Sequence, residues 1–264
     1  MKKYNLGDIV TIIVLYNCSC RDSISYKRLN EYGVPTIVCD NSTKDYGNED
    51  IVEKDGNIYI NMHGNKGLSK AYNTALKYID NKYHFICLFD DDTDMGKEYF
   101  SKVLDYINTV EADVFLPVVK TQTKVLSPCQ FKNKKVIEVR NSDDIDMNFI
   151  FAINSGMIIY KDVFTNFRYN ENIFLDYVDH NFMRIMIKQN KRIQIMKDNI
   201  IYQDFSIESN SLESAYNRLC ILNHDLKEFY KEDRYTYFKQ ITAYKLVMIK
   251  RFKTLKFLFL KQLN

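Results

Sequence analysis

The sequence predicts an α/β fold, a mainly parallel central sheet flanked by helices with a C-terminal helical extension, and three features lead there. Short apolar, β-branched runs alternate with amphipathic helical segments from residue 8 onward, the pattern of successive strand–helix–strand units. The runs are apolar without alternation, as strands covered by helices on both faces must be. Several end in small polar clusters, and in open α/β sheets ligands bind in the crevice outside the carboxyl ends of the strands. A chain of 264 residues is long enough to bury a substantial core. The expected division is a catalytic-type α/β domain over 1–205 and a helical extension over 206–264.

The first run, Asp8–Asn17, opens into a loop at Tyr16-Asn17. A polar helical segment over 21–31 follows, with Gly33 and Pro35 as punctuation. Val34–Cys39 repeats the strand and ends in Asp40-Asn41-Ser42, residue types that suit a plain turn as well as a binding crevice. The third strand, Ile58–Met62, ends in His63-Gly64-Asn65-Lys66-Gly67. Leu68, Ala71, Tyr72, Ala75, Leu76 and Ile79 then recur at helical spacing. Gly64 and Gly67 permit close backbone approach at the helix N-terminus, a favourable place for a phosphate or a sugar hydroxyl. Gly-Asn-Lys-Gly nevertheless has the spacing of neither a P-loop nor a dinucleotide fingerprint.

Phe85-Ile86-Cys87-Leu88-Phe89, too short for an independent helix, reads as a strand buried on both faces, and Asp90-Asp91-Asp92-Thr93 stands where it emerges. Three adjacent carboxylates raise one another's pKa unless they are well solvated or neutralised by a cation. A solvated acidic turn is one reading; the other is oxygen-only ligation of Mg²⁺ or Mn²⁺ held jointly with a phosphorylated substrate. A helix over 98–110 and a strand over 113–119, with Pro117 near its edge, come next. Residues 120–145 are polar, lysine-rich and weakly periodic, which predicts a loop excursion. A strand over 147–153 ends in Asn154-Ser155-Gly156, and 157–160 stays extended. Asp176 and Asp179, three apart, share a face if they lie on a helical turn. The apolar density that follows, over 183–187, predicts a buried helix.

The formal charge of +3 is too small to suggest a nucleic-acid binder, and no nucleic-acid partner is expected. Cys18, Cys20, Cys39, Cys87, Cys129 and Cys220 lack the CxxC spacing of a zinc or redox site and read as reduced core residues of a cytoplasmic protein. The basic N-terminus has no apolar signal-like stretch, and no later segment approaches the length that spans a bilayer, so neither secretion nor a transmembrane anchor is expected. The last stretch, 245–264, is different: Leu246, Ile249, Phe252, Leu255 and Phe259 recur with lysines between them and no acid. It suits either packing against the α/β domain or peripheral attachment to an anionic membrane surface, which here would be the inner face of the cell membrane.

Taken together, Tyr16-Asn17, Asp40-Asn41-Ser42, Asn65-Lys66-Gly67 with Asn73, Asp90-Asp91-Asp92-Thr93, Asn154-Ser155-Gly156 and Phe174-Leu175-Asp176-Tyr177-Val178-Asp179 resemble the inverting family 2 glycosyltransferases of the GT-A fold, particularly the rhamnosyltransferase-like branch. The similarity covers roughly residues 8 to 200; each motif alone is unspecific, and the order and spacing make the joint signal. The resemblance implies a nucleotide-diphospho-sugar transferase that moves a sugar from a UDP- or dTDP-sugar to a glycan acceptor, lipid-linked in some members, in bacterial surface polysaccharide synthesis. Residue by residue, it implies that Tyr16 and Asn17 frame the donor base and that Asp40 accepts a hydrogen bond from a pyrimidine ring N–H. Asn65, Gly67, Asn73, Asp90 and Asp91 join them in binding the donor. Asp90 and Asp92 fit the DxD motif, with Asp92 the direct ligand of a divalent metal, Mn²⁺ or Mg²⁺. Asp179 stands at the catalytic-base position, with Asp176 as a second candidate.

One position departs from the family. Relatives often carry a further metal-ligating His beyond the base helix, where this chain reads Ile200-Ile201-Tyr202-Gln203-Asp204-Phe205-Ser206. Either Gln203 or Asp204 substitutes, or the acids and the diphosphate hold the metal alone; His224 is poorly spaced for the task, and His180 reads as structural or acceptor-facing. Two other classes compete with a glycosyltransferase. A sugar-nucleotide nucleotidyltransferase requires a glycine-rich basic phosphate loop, which Tyr16-Asn17-Cys18-Ser19-Cys20 does not provide. A non-catalytic sugar- or nucleotide-binding scaffold at a membrane predicts tolerance of Asp179→Asn.

Overall fold

The computed structural model describes residues 3–121, 124–132, 135–137, 144–202 and 211–262. Its central sheet runs β11-β5-β10-β4-β1-β2-β3, with β6 paired to β5. The strands are β1 Ile9–Leu15, β2 Thr36–Asp40, β3 Ile58–Asn61, β4 Phe85–Phe89, β5 Val114–Lys120, β6 Val125–Ser127, β10 Met157–Tyr160 and β11 Ile193–Tyr202. β1 lies parallel to β2 and β4, β2 to β3, and β5 to β11, while β10 runs antiparallel between β4 and β5. Alternate residues of each strand face opposite layers. Val10 and Ile12 belong to one apolar core with Ala71, Tyr72 and Phe182; Ile9 and Ile13 belong to the other with Leu29, Tyr99 and Val103. All five residues of β4 are buried, as the unbroken apolar run requires.

The helices α1 Ile24–Tyr32, α2 Asn48–Lys54, α3 Leu68–Ala75, α4 Tyr99–Thr109 and α5 Val178–Lys188 cover the two faces. Local chemistry fixes their ends. Ser23 caps α1 by accepting the Tyr26 N–H, and Gly33 closes it in the left-handed conformation, φ 65°. The predicted helix beyond Leu68 stops at Ala75 and finishes as a 3₁₀ turn over Leu76–Tyr78.

Four expectations need correction. Residues 120–145 are not a simple excursion: besides β6 they supply β7 Cys129–Lys132 and β8 Lys135–Ile137, which join β9 Ile150–Phe151 in a three-stranded antiparallel sheet. Such short strands, with polar and charged residues between them, leave almost no periodic signal. The strand expected over 147–153 is reduced to β9, because Met147–Phe149 form a 3₁₀ turn capped by Asp146. Pro117 lies within the interior strand β5, in the interval where β10 has ceased to pair and β6 has not begun, so its missing N–H costs no ladder bond there. Finally, Asp176 precedes α5, and Tyr177 between the two acids has φ 65°, so Asp176 and Asp179 do not share a helical face.

Two long helices complete the chain, α6 Leu212–Phe229 and α7 Arg234–Phe252. α7 closes at Lys253 in the left-handed conformation. Ala215, Tyr216, Leu219 and Leu226 of α6 are buried in the same core as α3 and α5. The helical extension is thus continuous with the α/β core, and the expected boundary at 205/206 lies outside the described residues. All six cysteines are free thiols, five of them buried. No helix among the described residues is long and apolar enough to cross a membrane.

Candidate active site

Parallel pairing sets the carboxyl ends of the central strands side by side: Leu15 stands opposite Asp40, Asp40 opposite Asn61, and Ile13 opposite Phe89. The loops that follow therefore emerge along one edge. Hydrogen bonds tie them together. Asn17, at φ 52°, donates its N–H to Ser42 Oγ (2.9 Å) and accepts from the Thr43 N–H (2.9 Å), while the neighbouring Tyr16 ring is half exposed. Cys18 donates its thiol to Asp91 Oδ2 at 3.3 Å. Asp40 is buried and accepts from the Ser42 N–H (2.9 Å), Asn48 Nδ2 (2.8 Å) and the Tyr59 hydroxyl (3.2 Å). Its Oδ1, with one such partner, keeps a lone pair. Asn41 spans to the next loop, accepting the Lys66 N–H and donating to the Gly67 carbonyl.

The acid cluster is held largely through its backbone. Ser25 Oγ lies within hydrogen-bond reach of the Asp90 and Thr93 carbonyls and accepts the Thr93 N–H at 3.0 Å; Ser23 Oγ donates to the Asp91 carbonyl at 2.7 Å. Thr93 and Ser155 share a hydroxyl–hydroxyl bond, and Ser155 also hydrogen-bonds the Asp90 carboxylate. Burial, followed by the charges of Asp92 and Asp91, pushes Asp90 up to about 6, and burial also raises Asp91. Asp92 is exposed. Among the described residues no group of three His, Cys, Asp or Glu is arranged to hold a metal by itself. The donor set does fit a cation shared with phosphate oxygens: hard oxygen ligands at a strand end whose charges raise one another's pKa. Gln203 and Asp204 lie outside the described residues, and His224 is turned elsewhere, its Nε2 at 3.0 Å from the Asn172 carbonyl oxygen.

Asp179 enters from α5. Its Oδ1 accepts the His180 N–H at 2.7 Å, and the helix N-terminus also favours its ionised form. Burial overrides both, and with the nearby charge of Asp90 it lifts Asp179 to about 7. Asp90 and Asp179 are thus brought within electrostatic reach of each other, and both act on Tyr72, whose buried hydroxyl has no hydrogen-bond partner. His180 stacks on Phe151 with ring centroids 3.7 Å apart and is driven down to about 3 by burial, so it is neutral.

Other expected site residues serve this framework. Asp176 is gripped by both terminal nitrogens of Arg218, an engagement that competes with taking a proton from substrate. Asn73 spends its amide on the Tyr169 backbone and on Glu171, fixing the segment before α5. Asn65 Oδ1 accepts the Gly67 N–H, and Gly67, at φ 87°, lets α3 approach Phe174 so closely that a Cβ would stand 2.7 Å from the Phe174 carbonyl oxygen. Sequence reasoning missed the anchor of the whole loop: Asp225 of α6, fully buried, accepts the N–H groups of Phe174, Leu175 and Asp176 at 2.7–2.8 Å. It lies some fifty residues downstream with no local motif around it, so only a marked acid in a helix's apolar stripe hinted at it.

Comparison with known proteins decides the family. The family described as Glycosyl transferase family 2 matches residues 12–168. The chain belongs to glycosyl transferase family 2. The matched segment runs from β1 to the loop before α5, so it includes the acid cluster and ends short of Asp179. A dTDP-rhamnosyl transferase, RfbF of Shigella flexneri, is 24% identical over 180 residues, 66% of this chain and 61% of its own length. S. aureus TarS 1-349 superposes with a TM-score of 0.55 at 18% identity, over 83% of this chain and 65% of that one. TarS 1-349 has also been solved with UDP (TM-score 0.55) and with UDP-GlcNAc (TM-score 0.53). At that identity the likeness speaks for the GT-A type of fold, and this family 2 chain spans less than two thirds of the length of these relatives.

Proposed function

We propose that the chain is an inverting glycosyltransferase that takes a sugar from a UDP- or dTDP-sugar and passes it to a hydroxyl of a glycan, free or lipid-linked, in the building of a surface polysaccharide. The observation that carries this reading is that Asp179 and Asp90 come within electrostatic reach of each other beside the strand ends, two carboxylates of different duty whose pKa values are both raised toward neutrality. Asp179 accepts the proton of the acceptor hydroxyl as that oxygen bonds to the anomeric carbon. The bond from that carbon to the diphosphate breaks on the opposite face, and the nucleoside diphosphate leaves. Tyr16, Asn17 and Asp40 hold the base, and the Asn65–Gly67 turn borders the sugar side. Asp92 and Asp90 are the residues to hold Mn²⁺ or Mg²⁺, which when bound stabilises negative charge on the departing diphosphate. Attachment at the inner face of the cell membrane belongs to the same reading, through the basic, partly apolar 245–264 stretch.

A hydrolysis panel tests it: purified protein with Mn²⁺ or Mg²⁺, each UDP- and dTDP-sugar in turn, and release of free nucleoside diphosphate as the readout. One donor is expected to turn over, with loss on chelation and in Asp92→Asn. Addition of an acceptor should give transfer that Asp179→Asn lowers by about a hundredfold or more. Transfer undiminished in Asp179→Asn would remove the base assignment, and nucleotide binding with no turnover of any donor, with or without acceptor, would favour a binding scaffold.

A further inference from the structure

Asp179 and His180 border a cleft of about 980 Å³ that Asp90, Asp91 and Asp92 do not line. Its other walls use nothing that the donor reading requires. Phe131 and Lys135 of the small sheet form one side; Tyr235, Lys239 and Tyr244 of α7 form another. A substrate in this cleft meets Asp179 and none of the three acids of the cluster. The Tyr235 and Tyr244 rings are exposed, 76% and 40%, and offer apolar faces of the kind on which sugar rings pack.

The charges are lopsided. Asp176 on the same lining is neutralised by Arg218, and His180 is uncharged. Lys135 and Lys239 are exposed and are paired with no carboxylate among the described residues. α7 carries five basic residues and no acid, and Lys239 is the one of them that lines the cleft. A neutral glycan has no use for two such cations at the mouth of a sugar-sized cleft; an anionic one does.

We propose that this cleft is the acceptor site and that the acceptor is a glycan bearing a phosphate, with the reacting hydroxyl at Asp179, sugar faces against Tyr235 and Tyr244, and the phosphate held by Lys135 and Lys239. The proposal rests on the glycosyltransferase reading for the role of Asp179. It deepens that reading by naming the acceptor's chemistry and the residues that select it.

Calorimetric titration of the full chain, with and without UDP or dTDP, tests it independently of turnover. Three probes are used for each of glucose, N-acetylglucosamine and rhamnose: the 1-(decyl phosphate), the 1-(methyl phosphate) and the neutral decyl glycoside. At least one phosphate-bearing probe is expected to bind about tenfold or more tightly than its neutral counterpart, with the gap shrinking in salt. A Lys135→Glu, Lys239→Glu double variant that melts as the parent does should lose the gap. A decyl phosphate that outbinds the methyl phosphate points to a lipid phosphate; equal binding points to a phosphodiester within the glycan. Binding of no probe, equal binding of neutral and phosphate probes, or a preference that survives the double substitution overturns the proposal. Failure of the enzyme reading is seen separately, as a wild-type chain that binds neither nucleotide.

Discussion

Asp179 illustrates how position within the fold changes one carboxyl group. An acid in the first turn of a helix is ordinarily easy to ionise, and here burial against the apolar core and the proximity of Asp90 reverse that, lifting it to about 7. Two outcomes follow. Only the ionised carboxylate takes up a proton, so transfer should climb as pH rises through about 7, and saturating divalent metal should draw the acidic limb to lower pH by favouring the anion; a pH–rate profile at two metal concentrations checks this. The second concerns stability. The folded state binds this proton more tightly than the unfolded chain, so the group's contribution is fully present below the ordinary carboxylate pKa and is lost as pH rises through about 7. Asp179→Asn, whose amide oxygen still accepts the His180 N–H, should therefore melt above the parent at pH 8, with the gap closing toward pH 4. Equal melting temperatures at both pH values would show that the carboxyl is not held in the way its surroundings imply.

At the scale of elements, α6 governs the base loop although it contributes no atom to the proposed chemistry. Arg218 and Asp225 fasten Asp176 and the 174–176 backbone, and α3 touches the same loop where the Leu68 N–H donates to the Phe174 carbonyl at 2.6 Å. Tyr177 is kept in a left-handed conformation that a non-glycine residue adopts at a cost of about 1 kcal/mol, with its hydroxyl donating to Gln240 Oε1 of α7. Asp225→Ala would leave three backbone donors without their acceptor, and unfolding is expected to drop by about 2–4 kcal/mol in denaturant melts. The milder Asp225→Asn should retain the fold, lower kcat, and leave nucleotide binding as it was. Gly67→Ala combines an unfavourable φ with a Cβ driven into Phe174 and should cost about 2 kcal/mol or more by the same measurement.

Across the whole molecule, two apolar cores sandwich one sheet, and α6 extends the first of them while α7 remains largely at the surface. Leu246, Val247, Leu255 and Phe259 stand 58–78% exposed among lysines, whereas Phe257 is fully buried and Phe252 packs on the core. The periodic apolar residues of this stretch thus divide between packing and exposure, which the spacing alone left open. Sedimentation with vesicles should show binding to anionic lipid, little to neutral lipid, and release at high salt, with Leu255→Glu and Phe259→Glu weakening it. Indifference to lipid charge would confine this face to the protein itself. The order of elements through α4 was readable, apart from α2, because the strands are short, mostly apolar runs set between helical segments; α2, seven residues of which only Ile51 and Val52 are apolar, left no stripe to read, and the second sheet left none because its strands are two to four residues long.

The sequence by itself determined the α/β plan, the identity of β4 as a fully buried strand, and the set of polar clusters at strand ends, because these depend on periodicity and on residue types within a few positions of one another. Tertiary structure decided how those clusters divide the work. Parallel register places Asp40 and the acid cluster along one edge, the turn at Tyr177 separates Asp176 from Asp179, and Arg218 and Asp225 reach back across some forty to fifty residues to fix the loop between them. Spacing gave the two acids equal standing. Burial of one, and pairing of the other with a distant arginine, are properties of contacts between elements, and no local pattern in the chain encodes them.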